Sequence, residues 1–539
     1  MVSATRIGRA AASPRVTHAA VAAVTFVAAL VLYVPTLMPG VGFWDTAEFQ
    51  TVGPVLGIAH PTGFPSYVLL TWAASILLSP LGDTAYRINL LSAILVAGGA
   101  AFVAATVHRL ARRAAPAVAS GLLLAVAPIT WWTAERADPH AFHLFLAGLL
   151  LYLLVAWAQR VREVGAAADD PGDRTADRLL LAASTVYAVA LGNHALTVLL
   201  APGILVLLLA VQPGLFTRRR RLVAACAGLI VGLTVILYAY IPIRASMNPP
   251  LDYAHPDTPA RFAYLVLGLQ FRGLLQDPLT GGLAPVADFF ATSLSMAVVV
   301  LGLAGFAATL VLARRPRSVG RPVALMAATW FVIVTIFARA YNDGSPDRYY
   351  LVPIALLALW AGVAASLAWD AVAWAIGRAI AWRPAVRRRM SSGVAPLLLR
   401  VVATLLAAAV VLTLPAQRAL SERQAQVGAT GNQAAQWLDA AYAILPRDAV
   451  VISWWSYSTT LWYGRWIEGR RPDVEIVDDR TLLDDGWNTV QNAVRHFEAE
   501  GRPIFLIRQF QDIPALESQY HLVQHDTIPG YSPLWEIVR

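Results

Sequence analysis

The sequence predicts an α-helical polytopic membrane protein ending in a small C-terminal α/β soluble domain, and three observations predict it. Of 539 residues 58% are hydrophobic and 14% charged, with a mean hydropathy of +0.57, whereas a soluble chain carries about 25% charged residues. Apolar runs of membrane-crossing length recur from His18 to Leu414, with arginines clustered between them. Past Leu414 such runs stop, and short apolar strands alternate with helical segments. A soluble enzyme, a disordered regulator and a secreted disulfide scaffold are excluded. The single cysteine, Cys226, lies inside an apolar run, so no intrachain disulfide is possible. A net charge of +9 would suggest nucleic acid for a soluble protein. Here the clustered arginines are a topology signal, and no nucleic-acid partner is expected.

Crossing about 30 Å of hydrocarbon takes roughly 20 apolar residues. The first span, His18 to Leu37, follows Arg6, Arg9 and Arg15, which keep the N-terminus cytoplasmic. It reads as an uncleaved anchor, because its apolar stretch exceeds a signal core and no small-residue cleavage site precedes Pro35. Later spans are Ile88 to Val107, Ala114 to Trp132, Ala141 to Trp157, Leu222 to Ile243, Phe289 to Leu312, Pro322 to Phe337, Tyr349 to Trp374 and Val394 to Leu414. Ser66 to Leu81 is short, with Pro65 before it and Pro80 and Gly82 at its end. Leu179 to Val211 would be about 50 Å long as one helix, and Gly192, Asn193 and His194 interrupt it.

Charge placement settles both. If Ser66 to Leu81 stays at the surface and Leu179 to Val211 crosses twice, every strong arginine cluster lies on the cytoplasmic side: Arg109 to Arg113, Arg160 and Arg162, Arg218 to Arg221, Arg314 to Arg317 and Arg383 to Arg389. Ser66 to Leu81 is therefore a juxtamembrane or re-entrant helix. The result is about eleven spans, N-terminus in and C-terminus out. The external face then collects Pro39 to Asp83, Thr133 to His140, Gly192 to His194, Arg244 to Pro285 and Ala338 to Arg348. Residues 1–415 form the transmembrane domain, and 416–539 an external α/β domain with a largely parallel sheet. Its expected order is helix Asn432 to Ile444, strand Ala449 to Ser453, helix Tyr457 to Ile467, strand Val474 to Val477, helix Trp487 to Glu500 and strand Ile504 to Ile507. No Gly-rich phosphate loop accompanies it.

The densest constellation is the first external loop, Gly42 to Phe49 followed by Gly57 to Pro65. Asp45 and Glu48 stand three apart, so a helical turn puts both carboxylates on one face. That suits a general base, a metal-ligand pair or a cation site; equally, they are first-turn acids favoured by the helix dipole. His60 beside Pro61 is either a substrate contact or a loop residue bonded to backbone. Glu135, Arg136, Asp138 and His140 follow Trp131 and Trp132, which read as an interfacial belt. Asn193 and His194 either point into a cavity or satisfy open helix ends. Arg244 after Pro242 is a phosphate-gripping cation or an interface anchor, and Arg348 beside Asp347 a phosphate ligand or an ion pair. HExxH, Walker, CxxC and nucleophile-elbow patterns are absent, which removes support from soluble metalloprotease, ATPase and serine-hydrolase readings.

The strings Phe43 to Glu48 and Ala59 to Pro65 resemble the signature "D, two residues, E, then H-P-P-G-Y-P" of a multispanning family that includes the vertebrate endoplasmic-reticulum protein O-mannosyltransferase of plexin-type receptors. Ala190 to His194, Asn248 to Asp252, Tyr349 to Pro353, and Trp462 with Tyr463 through Glu468 to Val474 agree in the same order, so the resemblance runs nearly the whole chain. It implies a GT-C-class glycosyltransferase with a polyprenyl-phosphate sugar donor, mannose being the family's sugar, and a protein or glycan acceptor. Asp45 takes the catalytic role, with Glu48 as partner. His60, Pro61, Asp138, His140, His194, Arg244, Asp252 and Arg348 become donor- or substrate-binding residues. A divalent cation is a candidate cofactor, and the location implied is a bacterial cytoplasmic membrane, in contact with its lipid. The chain departs from the pattern at Ala47, where glycine is common, at Thr62, which replaces the second proline, and at Asp138 with His140, where a Glu and Tyr pair is expected.

An enzyme of this kind moves a sugar to a hydroxyl, with Asp45 taking the acceptor proton and Arg244 or Arg348 holding the leaving phosphate, Arg244 ranking slightly higher. The alternative, a transporter or lipid-linked-sugar flippase, would place charges at the midplane and often show internal repeats. A scaffold using its tail for binding leaves the Asp45 constellation unexplained. The topology has a direct check: reporter fusions after Arg113 and at Arg539 should report cytoplasmic and external locations respectively, and a cytoplasmic signal at Arg539 would overturn the assignment.

Overall fold

The computed structural model describes residues 17–165, 173–312, 318–342, 346–381 and 432–538, with positions 417, 420 and 421. The first half of the bundle comprises α1 (His18–Tyr33), α2 (Trp44–Val52), α3 (Pro65–Leu77), α4 (Thr84–Ala111), α5 (Ala114–Ala125), α6 (Pro128–Ala134), α7 (Pro139–Val164) and α8 (Arg174–Asn193). The second half comprises α9 (Ala201–Val211), α10 (Leu215–Arg218), α11 (Arg220–Ala245), α12 (Pro259–Val266), α13 (Ala284–Leu294), α14 (Met296–Leu312), α15 (Gly320–Ala340) and α16 (Leu351–Ala381).

Among the described residues six helices are long and apolar enough to cross a membrane, or up to eight if each of two bent pairs is one span. The chain is a multi-span membrane protein. Two expected spans are not straight. Ala114 to Trp132 bends by 72° where Pro128 opens α6, and Phe289 to Leu312 turns by 103° at Ser295, whose φ of +75° lies in the left-handed region. Leu179 to Val211 divides at His194, the cap of α8. At 13 residues α3 is about 20 Å long, short of a crossing. The Val394 to Leu414 span lies outside the described residues.

The bundle centres on α4, α7 and α16, whose apolar windows are 83%, 78% and 78% buried, against 6% for α11, which is left to face lipid. Small residues let α4 and α7 touch. A Cβ on Gly148 would lie 3.0 Å from the Gly99 carbonyl oxygen, so backbone meets backbone there. Buried hydroxyl and indole donors are satisfied by carbonyls of neighbouring helices: Tyr33 to Ala125 at 2.8 Å, Ser120 to Ala358 at 2.8 Å, and Trp330 to Leu200 at 2.7 Å.

The C-terminal domain adds α17 (Gln433–Ile444), β1 (Val450–Ile452), α18 (Trp455–Trp466), β2 (Glu475–Val477), α19 (Asp479–Asp484), α20 (Val490–Ala499), β3 (Ile504–Leu506), α21 (Ile513–Glu517), β4 (His521–His525) and β5 (Leu534–Val538). The sheet order is β2-β1-β3-β5-β4. β1 pairs parallel with both neighbours (Val451 opposite Ile476 and Phe505), as the sequence predicts, but β5 pairs antiparallel with both β3 and β4, so the sheet is mixed where a largely parallel one is expected. Alternation along the strands fills both faces: Val451, Phe505 and Ile507 pack with Trp437 and Leu438, whereas Val450, Ile452 and Leu506 pack with Val494 and Phe497.

This domain sits on the first loop. Phe43 enters an aromatic cage of Trp437, Tyr457 and Tyr531, with centroids 5.2 to 6.0 Å away. Thr460 donates to the Gly42 carbonyl at 2.9 Å, and the Tyr463 hydroxyl accepts from the Ala85 amide at 3.1 Å. Beneath, fully buried Gln50 and Asn89 tie the loop to the bundle. Gln50 donates to Asn89 Oδ1 at 2.9 Å and accepts from the Gly42 amide; Asn89 donates to Met38 O and accepts from the Ala137 amide. Asn89→Ala therefore strands several buried polar groups at about 1 to 3 kcal/mol each, and should lower the thermal midpoint in detergent well below that of Thr185→Ala, whose exposed hydroxyl bonds only its own helix.

Candidate active site

Phe43 is extended and caps nothing with its side chain, and α2 begins at Trp44, whose φ of +58° places it in the left-handed region. A bulky residue holds that conformation only when its surroundings impose it; here Phe43 is caged and Trp44 packs edge-on against Trp454 at 5.1 Å. This start aims the first turn of α2 at the domain above. Asp45 and Glu48 do share a face, and their carboxylates are engaged across the fold. Asp45 Oδ1 accepts from the Trp455 indole at 3.0 Å and Oδ2 from Arg348 at 3.3 Å. Glu48, 2% exposed, accepts the His60 amide at 2.8 Å through Oε1 and meets His60 Nδ1 at 2.5 Å through Oε2.

Burial opposes charge on all three groups, and their neighbours decide the outcome. For Asp45 burial is outweighed by His60, Arg348 and the Trp455 donor, which hold its carboxyl below the usual range. For His60 burial is outweighed by Glu48 and Asp45, which raise it above an ordinary histidine. Burial pushes Glu48 up despite His60. Both members of the pair therefore lie above their ordinary values, Glu48 through burial and His60, against burial, through its carboxylate neighbours. Ligand atoms of Asp45, Glu48 and His60 lie within 4.8 Å of one another, a donor set able to hold a metal ion. Pro61 is buried and follows His60 into the turn at Gly63. Gly63 has a φ of +83°, and a Cβ there would lie 2.7 Å from Ile241 Cδ1.

A second buried layer adjoins this one. Asp138 caps α7 and holds His140 through its amide at 2.7 Å and Nδ1 at 2.9 Å, directing Nε2 away from that bond. His194 packs at 4.7 Å from the His140 ring and 5.4 Å from Phe64, and its Nδ1 accepts the Leu196 amide. Tyr349, next to Arg348, packs on His140 at 5.3 Å. The Asn193 amide group donates to the Pro139 carbonyl, so the break after α8 is what brings His194 to the head of α7.

The two arginines separate. Arg348 touches Asp45, whereas Arg244 donates to the Leu56 carbonyl at 2.7 Å and the Val55 carbonyl at 3.4 Å, clamping the loop after α2. Arg244 grips main chain where the sequence ranks it first for phosphate, because the chain after α2 turns its carbonyls toward the end of α11. Asp252 bridges in parallel to Ile58 and pairs with His255 at 2.9 Å. It lines a cleft of about 270 Å³ between the first loop and the C-terminal domain, with Glu48 in its wall. Trp455 was not singled out by the sequence analysis. Its signal is position: it follows the carboxyl end of β1, where parallel sheets present functional residues.

Residues 45–214 match a family model described as the protein O-mannosyl-transferase TMEM260 N-terminal domain. Protein O-mannosyl-transferase TMEM260 of Mus musculus is 32% identical over 132 residues, covering 24% of this chain and 18% of that protein. Its Dictyostelium discoideum counterpart is 24% identical over 179 residues, covering 33% and 22%. The matches thus span about a fifth of the relatives' own length. ArnT from Cupriavidus metallidurans, solved with undecaprenyl phosphate, superposes with a TM-score of 0.60 at 17% identity, over 96% of this chain and 98% of that one. The oligosaccharyltransferase AglB from Archaeoglobus fulgidus, solved with an inhibitory peptide and a dolichol-phosphate, gives 0.53 at 15%, over 97% and 74%. The fold is the GT-C fold of these proteins.

The Glu48–His60 pair carries a pH signature. Because His60 is raised, its stabilising contribution is complete below the ordinary value of 6.5 and is lost as pH rises through the raised value. His60→Gln should cost on the order of 3 kcal/mol at pH 6. Thermal melts of both proteins across pH should show that gap narrowing toward alkaline pH; a gap independent of pH would mean the pair is not charged.

Proposed function

We propose that this chain is a membrane glycosyltransferase that moves a sugar, mannose, from a polyprenyl-phosphate donor to a Ser or Thr hydroxyl of a protein on the external face of a cytoplasmic membrane. The observation that carries the reading is the Asp45 carboxylate held between Arg348 and Trp455, where the bundle meets the C-terminal domain. Two relatives named as protein O-mannosyl-transferases support it, as do two GT-C neighbours solved with polyprenyl or dolichol phosphate.

In one step the acceptor oxygen bonds to the anomeric carbon, the bond from that carbon to the phosphate oxygen breaks, and the acceptor proton passes to Asp45. The leaving phosphate gains negative charge, for which Arg348 is the nearest cation to Asp45 and a fork suited to two phosphate oxygens. At rest, against the effect of burial, His60, Arg348 and Trp455 together make Asp45 a weak base. A donor phosphate that draws the guanidinium off Asp45 strengthens that base, so proton abstraction follows donor binding. His140 and His194, which pack against Tyr349 beside Arg348, are the donor-side residues on this reading.

A metal at Asp45, Glu48 and His60 is a second reading, favoured by their ligand atoms lying within 4.8 Å. In the first reading His60 and Arg348 already supply the counter-charges, so turnover should survive chelation; loss on chelation with recovery on adding divalent ion would favour the second. Asp45→Asn should lower turnover about 10² to 10⁴-fold, or roughly 3 to 5 kcal/mol of barrier, with donor still bound. Arg348→Ala should weaken donor binding as well as turnover, and Arg348→Lys should recover part of both. Arg244→Ala should act through its loop, lowering the thermal midpoint more than donor affinity. Near-normal turnover of Asp45→Asn in folded, inserted protein would remove this mechanism.

A further inference from the structure

The cleft above Glu48 is unequal in charge. Its wall carries Glu48, Asp252, Asp478, Asp484 and Asp485 against Arg465, Arg480 and His255, the last paired with Asp252. Both arginines are committed: Arg480 pairs with Asp484 and lies over the Tyr253 ring at 5.2 Å, while Arg465 donates to the Val474 carbonyl and lies over Trp466 at 4.7 Å. Asp478 is 1% exposed; its Oδ1 accepts from the Thr481 amide and hydroxyl, and its Oδ2 has no hydrogen-bond partner. The Asp252 side chain is 6% exposed; Oδ2 meets His255 and Oδ1 has no partner. A buried carboxylate oxygen so placed has lost its water without a replacement, and a ligand that supplies an N–H donor restores the missing hydrogen bond. Aromatic rings run from the reacting groups toward these acids. Trp455 lies 5.8 Å from His60, 5.9 Å from Tyr253 and 5.5 Å from Trp462, a surface on which an incoming cation stacks.

Resting on the transferase reading above, we infer that this cleft receives the acceptor as a polypeptide segment with an arginine or lysine close to the Ser or Thr that is modified. Asp252 and Asp478 receive the cation's N–H groups, and the Trp455 wall carries the segment down to Asp45. A neutral glycan would gain nothing from the excess negative charge, and an acceptor bearing phosphates would be repelled by it.

The test uses the full-length protein in detergent with polyprenyl-phosphate mannose and three synthetic peptides, each with one Thr flanked by arginine, by alanine or by glutamate. We expect kcat/KM to fall in that order, with about tenfold or more between the arginine and glutamate peptides, and the gap to shrink at high salt. Asp478→Asn keeps the cap of α19, since asparagine caps as well as aspartate, and Asp485→Asn alters an exposed position; each should bring the arginine-to-glutamate ratio toward one. Equal use of the peptides, or preference for glutamate, overturns the inference while leaving the transferase reading intact. Transfer to a glycan with none to any peptide overturns the inference and the protein acceptor proposed above, and leaves only the donor and the transfer step. Mannose transfer to no acceptor of either kind, by protein of normal thermal midpoint, overturns both.

Discussion

A single carboxylate joins the parts of this molecule. Arg348 and Trp455 reach Asp45 from 303 and 410 residues further along the chain, one from the bundle and one from the C-terminal domain. Neither could be placed by local structure. The caged Phe43 orients α2, the Gln50–Asn89 pair anchors its far side, and α18 supplies the indole. Buried polar atoms have few partners to choose from, so each of these contacts restricts the others. The domain is therefore part of the site, since without it Asp45 loses one of its two donors.

That arrangement also orders events. A carboxylate stabilised by a guanidinium is a poor proton acceptor, and the same guanidinium is the natural partner of a leaving phosphate. On the proposed function, one arginine serving both roles links base strength to donor occupancy, which would suppress abstraction of a proton from water or acceptor before the sugar is in place. The Glu48–His60 pair lies beside Asp45 and apart from Arg348: it is held by its own 2.5 Å contact, and, against burial, Glu48 and Asp45 both raise His60 above an ordinary histidine.

Much of this was legible in the sequence because it follows from local rules. Apolar length gave the long helices, the polar interruption at Asn193 and His194 gave the division after α8, and spacing put Asp45 and Glu48 on one face. What was illegible depends on tertiary geometry. Arg244 and Arg348 each adjoin an apolar run, yet one faces carbonyls and the other a carboxylate. The turn at Ser295 is a backbone event at a residue with no strong turn signature. The strand β4 has no regular alternation, since Leu522 and Val523 stand side by side between His521 and Gln524, and β5 carries only Glu536 among apolar residues; they read as strands only once paired with each other and with β3.

The departures from the family pattern fall where the structure gives them neighbours. Ala47, standing where glycine is common, is fully buried in a small cluster with Val41, Ala85, Ala434 and Tyr463, so its methyl contributes to the seat of the C-terminal domain. Asp138 with His140 forms a compact unit in which one carboxylate oxygen accepts both the His140 amide and Nδ1. That fixes the imidazole against His194 and Tyr349. A shorter acid can make this bond two residues along the chain and cap α7 at the same time, whereas a longer one would extend past the cap. The pair is thus a coherent alternative to a Glu and Tyr, and it changes the surface behind Arg348 from a phenol to an imidazole. On the proposed function, a change of hydrogen-bonding group at that position would alter the match to the donor sugar while leaving Asp45 and Arg348, and with them the proposed step, as they are.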